Sequence, residues 1–297
     1  MKTYFECFPC FVKQALRAAR LFTDDPKVIK SIIDEVVMLF PEISLDKTPP
    51  EIGEFIYGKI REISGVEDPY ENLKNQNTDE ALHLVPFCEN LISESTDPLF
   101  TAIKLAIAGN VIDLAIHQNI DIPSEIKTII HKEFAINDYE LFKSRLEQSK
   151  TILYIGDNAG ESVFDRLLIE QFAHKKVIYA VRGTPVIKVI YAVRGTPVIN
   201  DVVEKDAKRA GIDKFAEIIS SGSATPGIIL SKCSEEFKDI FMNADMIISK
   251  GQGNYEGISE ESREIFFLLK VKCEVLARDI GFPINSLVLM ESLPCSE

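Results

Sequence analysis

Asp157 and Asn158, flanked by Gly156 and Gly160 and followed by Glu161, are adjacent oxygen-bearing side chains in a compact turn. Such a pair suits a hard cation such as Mg²⁺, which takes few protein carboxylates and completes its shell with water and phosphate. The competing reading is that one of the two only caps the helix that follows. Asn200-Asp201 repeats the arrangement later in the chain. Alone, Asp201 reads as another helix cap. If the strands before Asp157 and Asp201 are neighbours, it becomes a third oxygen ligand. A third cluster, Lys250-Gly251-Gln252-Gly253-Asn254, sets a mobile cation suited to phosphate beside glycines that let backbone approach a ligand. It lacks the P-loop order, and no G-x-G-x-x-G follows the first strand, which weakens a dinucleotide reading. The glycine-rich turn at 220–227 offers amides for an anion nest.

These residues need strand ends to hold them, and the second half of the chain supplies the pattern. From Thr151 on, apolar runs at 151–156, 177–181 or its duplicate, 215–220, 245–249, 265–271 and 286–290 alternate with helical segments. That is the signature of a mostly parallel, Rossmann-like α/β sheet with helices on both faces. In such sheets ligands bind outside the carboxyl ends of the strands, which is where all three clusters fall. The first half reads differently. Apolar residues recur at helical spacing through 28–40, 51–63, 99–117 and 123–134, with Pro41, Pro49 and Pro98 punctuating them. The expected organisation is an all-helical domain over 1–148 and the α/β domain over 149–297.

The 297 residues carry a net charge of −13, which argues against nucleic acid, whose backbone demands basic patches. No apolar run reaches the roughly 18 residues of a membrane span, and the first residues lack a signal-peptide core, so the chain reads as cytoplasmic. Six cysteines fit that compartment. Only Cys7 and Cys10 form a close pair, and no second C-x-x-C completes a zinc set; buried packing, metal binding and redox chemistry all stay open.

Residues 176–187 recur without change as 188–199. Two copies do not make a solenoid, and the sheet needs only one of them as a strand. The expectation is that one copy forms the central strand while the other loops out or adds an edge strand.

Together, Gly156-Asp157-Asn158-Ala159-Gly160-Glu161, the Asn200-Asp201 step and Lys250-Gly251-Gln252-Gly253-Asn254-Tyr255-Glu256 resemble the damage-control phosphatases, first catalogued as domain of unknown function 89. Cys7-x-x-Cys10 and Ala108-Gly109-Asn110-Val111-Ile112-Asp113 are similar to its smaller microbial branch. The resemblance implies metal-dependent hydrolysis of small phosphorylated metabolites, sugar phosphates or damaged derivatives of them. It implies Asp157, Asn158 and Asp201 as metal ligands, with Lys250 on the phosphate and Glu161 and Asn254 close by. Asn110 and Asp113, on a helix of the first domain, would close over the site, or would serve only as helix surface or interdomain contacts. The tandem repeat departs from the family pattern, which has one such strand.

A metal held this way polarises a phosphoryl oxygen and orients a water nucleophile, while Glu161 acts as general base or positions that water. Water is favoured over attack by Asp157, because a metal-bound carboxylate has its lone pairs engaged. Oxygen ligands suit Mg²⁺ or Mn²⁺, although Co²⁺ and Ni²⁺ bind such sites more tightly. Two other classes stay open: an S-adenosylmethionine-dependent carboxyl methyltransferase and a non-catalytic metabolite-binding protein. The physiological substrate and oligomeric state are not readable from these residues.

Overall fold

A computed structural model describes residues 1–109, 121–173 and 187–292. Helices α1 (Cys7–Phe22), α2 (Pro26–Met38) and α3 (Pro49–Ser64) open the chain. Each start of α2 and α3 follows the sequence chemistry. The Asp25 carboxylate accepts from Lys27 N at 2.8 Å ahead of Pro26. Thr48 and Glu51 form a reciprocal capping box around Pro49 and Pro50. The three helices share an apolar cluster that includes Phe11, Ile32, Val36, Ile52 and Ile56.

Next come α4 (Glu71–Ser93), α5 (Pro98–Ala108), α6 (Ile122–His131), β1 (Phe134–Asn137) and α7 (Tyr139–Gln148). The alternating half follows: β2 (Thr151–Ile155), α8 (Ser162–Ala173), β3 (Lys188–Val193), α9 (Glu204–Ala210), β4 (Glu217–Ser220) and α10 (Glu235–Asn243). It ends with β5 (Met246–Lys250), α11 (Gly251–Ile258), β6 (Phe266–Lys270), α12 (Glu274–Ile280) and β7 (Leu287–Glu291).

The seven strands form one sheet in the order β1-β7-β6-β5-β2-β3-β4. All neighbours run parallel except β6 and β7. The fold is therefore the mixed, mostly parallel α/β architecture expected. Strand sequence leaves β2 in one direction through β3 to β4 and in the other through β5 to β6. The crevice beside β2 is thus a topological switch point, the usual ligand position in open α/β sheets.

Apolar cores cover both faces. Ile152, Tyr154, Tyr191 and Ile248 face α4, α5 and α8, while Leu153, Ile155, Ile190 and Ile247 face Phe237, Phe241 and Leu276. Residues 1–148 are not all helical, contrary to expectation. Phe134–Asn137 pairs parallel with β7 and joins the sheet as its edge strand. Four residues, three half-buried and one exposed, are too few to show a period of two, which is why the strand hides in the sequence. The second copy of the repeat supplies β3: Lys188 aligns with Thr151 and Ala192 with Ile155. Residues 176–186 of the first copy lie outside the described residues. Among the described residues no helix is long and apolar enough to cross a membrane.

Candidate active site

β2 gives way to Gly156, where a Cβ would come within 2.4 Å of the Tyr191 hydroxyl, so only glycine lets the chain turn there. The turn that follows is stitched to the segment after β3. Val202 N donates to Asp157 O at 2.8 Å, Ala159 N donates to Asn200 O at 2.9 Å, and Asn158 pairs antiparallel with Asp201. Ile199, at φ 45, reverses the chain so that this pairing is possible. A β-branched residue in that region is strained by about 1–3 kcal/mol, which the surrounding pairing must offset. Two strand exits far apart in sequence thereby bring Asp157, Asn158 and Asp201 to one place.

All three are buried, as is Glu161. Asn158 Nδ2 donates to Glu161 Oε1 at 2.5 Å and to Asp157 Oδ2 at 3.2 Å. Asp157 in turn lies against Gly251, whose missing side chain makes room for its carboxylate. Burial pushes the Asp157 carboxyl up, the Glu161 carboxyl up to about 8 and the Asp201 carboxyl up to about 7. Lys272, Arg194 and Lys250 pull the other way without cancelling the loss of water.

Arg194, absent from the residues expected, holds this centre together. Its Nε donates to Asp201 Oδ2 at 2.7 Å and its Nη2 to Asn254 Oδ1 at 2.9 Å, with Nη2 4.0 Å from Asp157 Oδ1. It is 1 % exposed, so its charge acts undiluted by water.

Lys250 does not reach the open site. Its ammonium donates to Ala106 O and Asp165 Oδ1, both at 2.7 Å, and to Glu161 Oε2 at 3.4 Å. Tyr154 and Tyr191 donate to the two oxygens of the same Asp165, each at 2.8 Å. Burial works against the ammonium, but Asp165 and Glu161 outweigh it and its pKa rises. The physical reason is the pleat: residue 250 points to the face covered by α5 and α8.

Asn254 is likewise a clamp. Its Nδ2 donates to Gly156 O and Lys250 O, and its Oδ1 accepts from Arg194 and Ile228 N. With two donors and two acceptor contacts made, its amide is fully occupied. The 220–227 turn offers no open nest either, since hydroxyls of Ser220, Ser221 and Ser223 accept from the amides of Gly222, Ser223 and Thr225. Asn110 and Asp113 lie outside the described residues. Gly109, just before them, packs on Glu161, where a Cβ would come within 3.1 Å of its Cγ.

A cavity of about 650 Å³ opens above Asp157, Asn158 and Asp201. Its walls include Arg17 of α1, Tyr70, Lys272 after β6 and the three thiols Cys7, Cys10 and Cys273. Lys272 is exposed, makes no hydrogen bond or ion pair with a described residue, and stands near enough for its charge to lower the proton affinity of Asp157 and Glu161. Among the described residues no group of three His, Cys, Asp or Glu side chains comes together as metal ligands, so the C-x-x-C pair is not part of such a group. The acid cluster is instead two aspartates and an amide.

Fold and centre define a Rossmann-like α/β protein whose polar residues gather at the carboxyl ends of its central strands. The chain belongs to the damage-control phosphatase ARMT1-like domain family, which it matches over residues 3–288. It is 32% identical to a damage-control phosphatase of Pyrococcus horikoshii over 98% of this chain and 99% of that one. A damage-control phosphatase of Archaeoglobus fulgidus is 32% identical over 95% and 96% of the two chains. A crystal structure of a DUF89 family protein from Pyrococcus horikoshii superposes with a TM-score of 0.86 at 32% identity, covering 98% of this chain and 99% of that chain.

Proposed function

We propose that this chain is a metal-dependent phosphatase of small phosphorylated metabolites, sugar phosphates or damaged derivatives, working in the cytoplasm. Membership of the damage-control phosphatase family supports the phosphatase class. The observation that carries the site is the Asn158–Asp201 pairing, which gathers two carboxyls and an amide on the floor of one cavity.

The donor set fits a divalent cation. Two buried carboxyls and an amide oxygen make a hard donor set, and Gly251 leaves the space that Asp157 needs. Asp157, Asn158 and Asp201 would hold Mg²⁺, Mn²⁺, Co²⁺ or Ni²⁺, with water and phosphate completing the shell. Once bound, the ion supplies a Lewis acid for the phosphoryl oxygens and a means of orienting a nucleophilic water.

The chain's own residues do the rest. Lys272 takes the phosphate-binding role that the resemblance implied for Lys250, as the lysine that lines the cavity beside Asp157 among the described residues. Lys250 holds Glu161 from beneath, and Glu161 fixes the amide of Asn158. Arg194 orients Asp201 and favours its ionised form against the effect of burial.

The methyltransferase reading needs an acid at the end of the second strand of the α/β half for the ribose hydroxyls. Arg194 follows β3 directly, and Asp201 is turned back onto the β2 exit. The experiment is phosphate release from p-nitrophenyl phosphate and a sugar-phosphate panel, with EDTA or each of the four metals, alongside Asp157→Ala. Metal-restored turnover that disappears in Asp157→Ala supports the proposal. No turnover from folded protein with any metal sinks it in favour of a binding protein or methyltransferase.

A further inference from the structure

One wall of the cavity is a stripe of α1. Cys7, Cys10, Gln14 and Arg17 recur at steps of three and four residues, share one helix face, and all line the cavity. At 1.5 Å per residue the stripe runs about 15 Å from Cys7 to Arg17, so the cavity is long enough for more than a phosphate and its leaving oxygen. Gln14 is fixed in place, accepting from Tyr57 OH at 3.1 Å and donating to Cys10 Sγ at 3.4 Å. Arg17 lies one turn beyond it.

Arg17 is exposed and makes no hydrogen bond or ion pair with a described residue. Among the described arginines only Arg20 shares that condition, and Arg20 does not line the cavity. The acids of the same walls are accounted for. Glu6 accepts from Arg278 at 2.6 Å, Glu256 accepts from Gln252 at 2.6 Å, and Glu274 sits in the first turn of α12, where the helix dipole favours it. Among the described residues the cavity therefore has two cations without a hydrogen-bonded or ion-paired partner, on different walls: Lys272 after β6 and Arg17 on α1.

A monophosphate satisfies one of them. Resting on the phosphatase reading above, we propose that Arg17 binds a second anionic group of the substrate, so that the preferred substrates are phosphorylated metabolites bearing another phosphate or a carboxylate remote from the phosphate that is removed. Arg is suited to either, because its planar fork meets both oxyanions in a bidentate manner.

The test compares a sugar bisphosphate, a phosphorylated sugar acid and the corresponding sugar monophosphate, using wild type, Arg17→Ala, Arg17→Lys and Arg20→Ala. Both kcat/KM with metal and equilibrium binding with turnover blocked by EDTA are read. Wild type is expected to favour a doubly anionic compound over the monophosphate by about tenfold to a hundredfold, the scale of one charged hydrogen-bonded contact. Arg17→Ala brings that ratio close to unity, Arg17→Lys keeps part of it, and Arg20→Ala keeps it whole. Preference for the bisphosphate alone identifies a second phosphate, and for the sugar acid alone a carboxylate. A ratio of unity in wild type, or one that survives in Arg17→Ala, overturns the proposal. If nothing is turned over, the phosphatase reading fails while the binding ratio still decides the role of Arg17.

Discussion

Gly251 lies directly beneath Asp157: a Cβ on it would stand 2.0 Å from Asp157 Oδ2, and its backbone is left-handed at φ 79. Gly251→Ala is therefore adverse twice over, through strain and through displacement of a proposed metal ligand. The expected result is a loss of about 1–3 kcal/mol of stability and a fall of about a hundredfold in kcat/KM. Chemical unfolding and steady-state kinetics check it; near-wild-type activity would separate Asp157 from the chemistry.

Lys250 and Lys272 should fail in different ways. Lys250→Met leaves Asp165 and Glu161 buried without their cation, at a cost of about 3–5 kcal/mol in denaturant unfolding. Lys272→Ala removes an exposed side chain and should change stability by less than about 0.5 kcal/mol. Its effect belongs in kcat/KM, lowered about tenfold to a hundredfold. Equal stability losses in the two variants would contradict the assignment of the phosphate contact to Lys272.

The raised carboxyls give a pH dependence whose sign is fixed. Glu161, Asp201 and Glu256, shifted by burial to about 8, 7 and 7, bind protons more readily in the folded chain than in the unfolded one. Stability from this source is complete below the unfolded carboxylate range near pH 4 and is lost as pH rises through about 7 to 8. Metal-free protein should lose on the order of a few kcal/mol over that window. Because ligation displaces those protons, added Mn²⁺ should raise Tm more at pH 8 than at pH 6. A metal-induced shift that shrinks with pH would count against carboxylate ligation.

Deleting residues 176–187 removes one copy of the repeat and leaves the other to form β3. His174 and Lys175 then join Ala173 to Lys188, within the usual α-to-β connection of about 2–6 residues. Activity and Tm should match the full chain. A clear loss of either would make the first copy part of the working structure.

Much of the architecture was legible because buried parallel strands are continuous apolar runs, as in Ile152–Ile155 and Met246–Ile248. That Asp157, Asn158 and Asp201 would meet was legible for a related reason: strand exits are marked by the apolar runs before them, and the exits of neighbouring parallel strands lie side by side. The burial of Lys250 was not legible, because the sequence marks the strand end but not which face is roofed, and α5 and α8 roof this one. The resemblance put Asn254 close to the phosphate, whereas in the fold its amide, within α11, is engaged by Gly156, Lys250, Arg194 and Ile228, partners no local pattern announces. Arg194 left no signal. Its partners Asp201, Gly156 and Asn254 lie 7, 38 and 60 residues away, and its identical twin Arg182 shares the same local context.

Arg194 touches residues from three different strand exits, so the centre is whole only when β2, β3 and β5 are all docked. Opening any one of them releases a buried cation and at least one carboxyl together. Amide hydrogens around Asp157, Asp201 and Asn254 should then exchange with solvent as a single cooperative unit, near the rate of global unfolding rather than of local fraying. A nascent chain still short of β5 would have no preformed centre to load. Emergence of ion affinity during synthesis would thus report completion of the sheet.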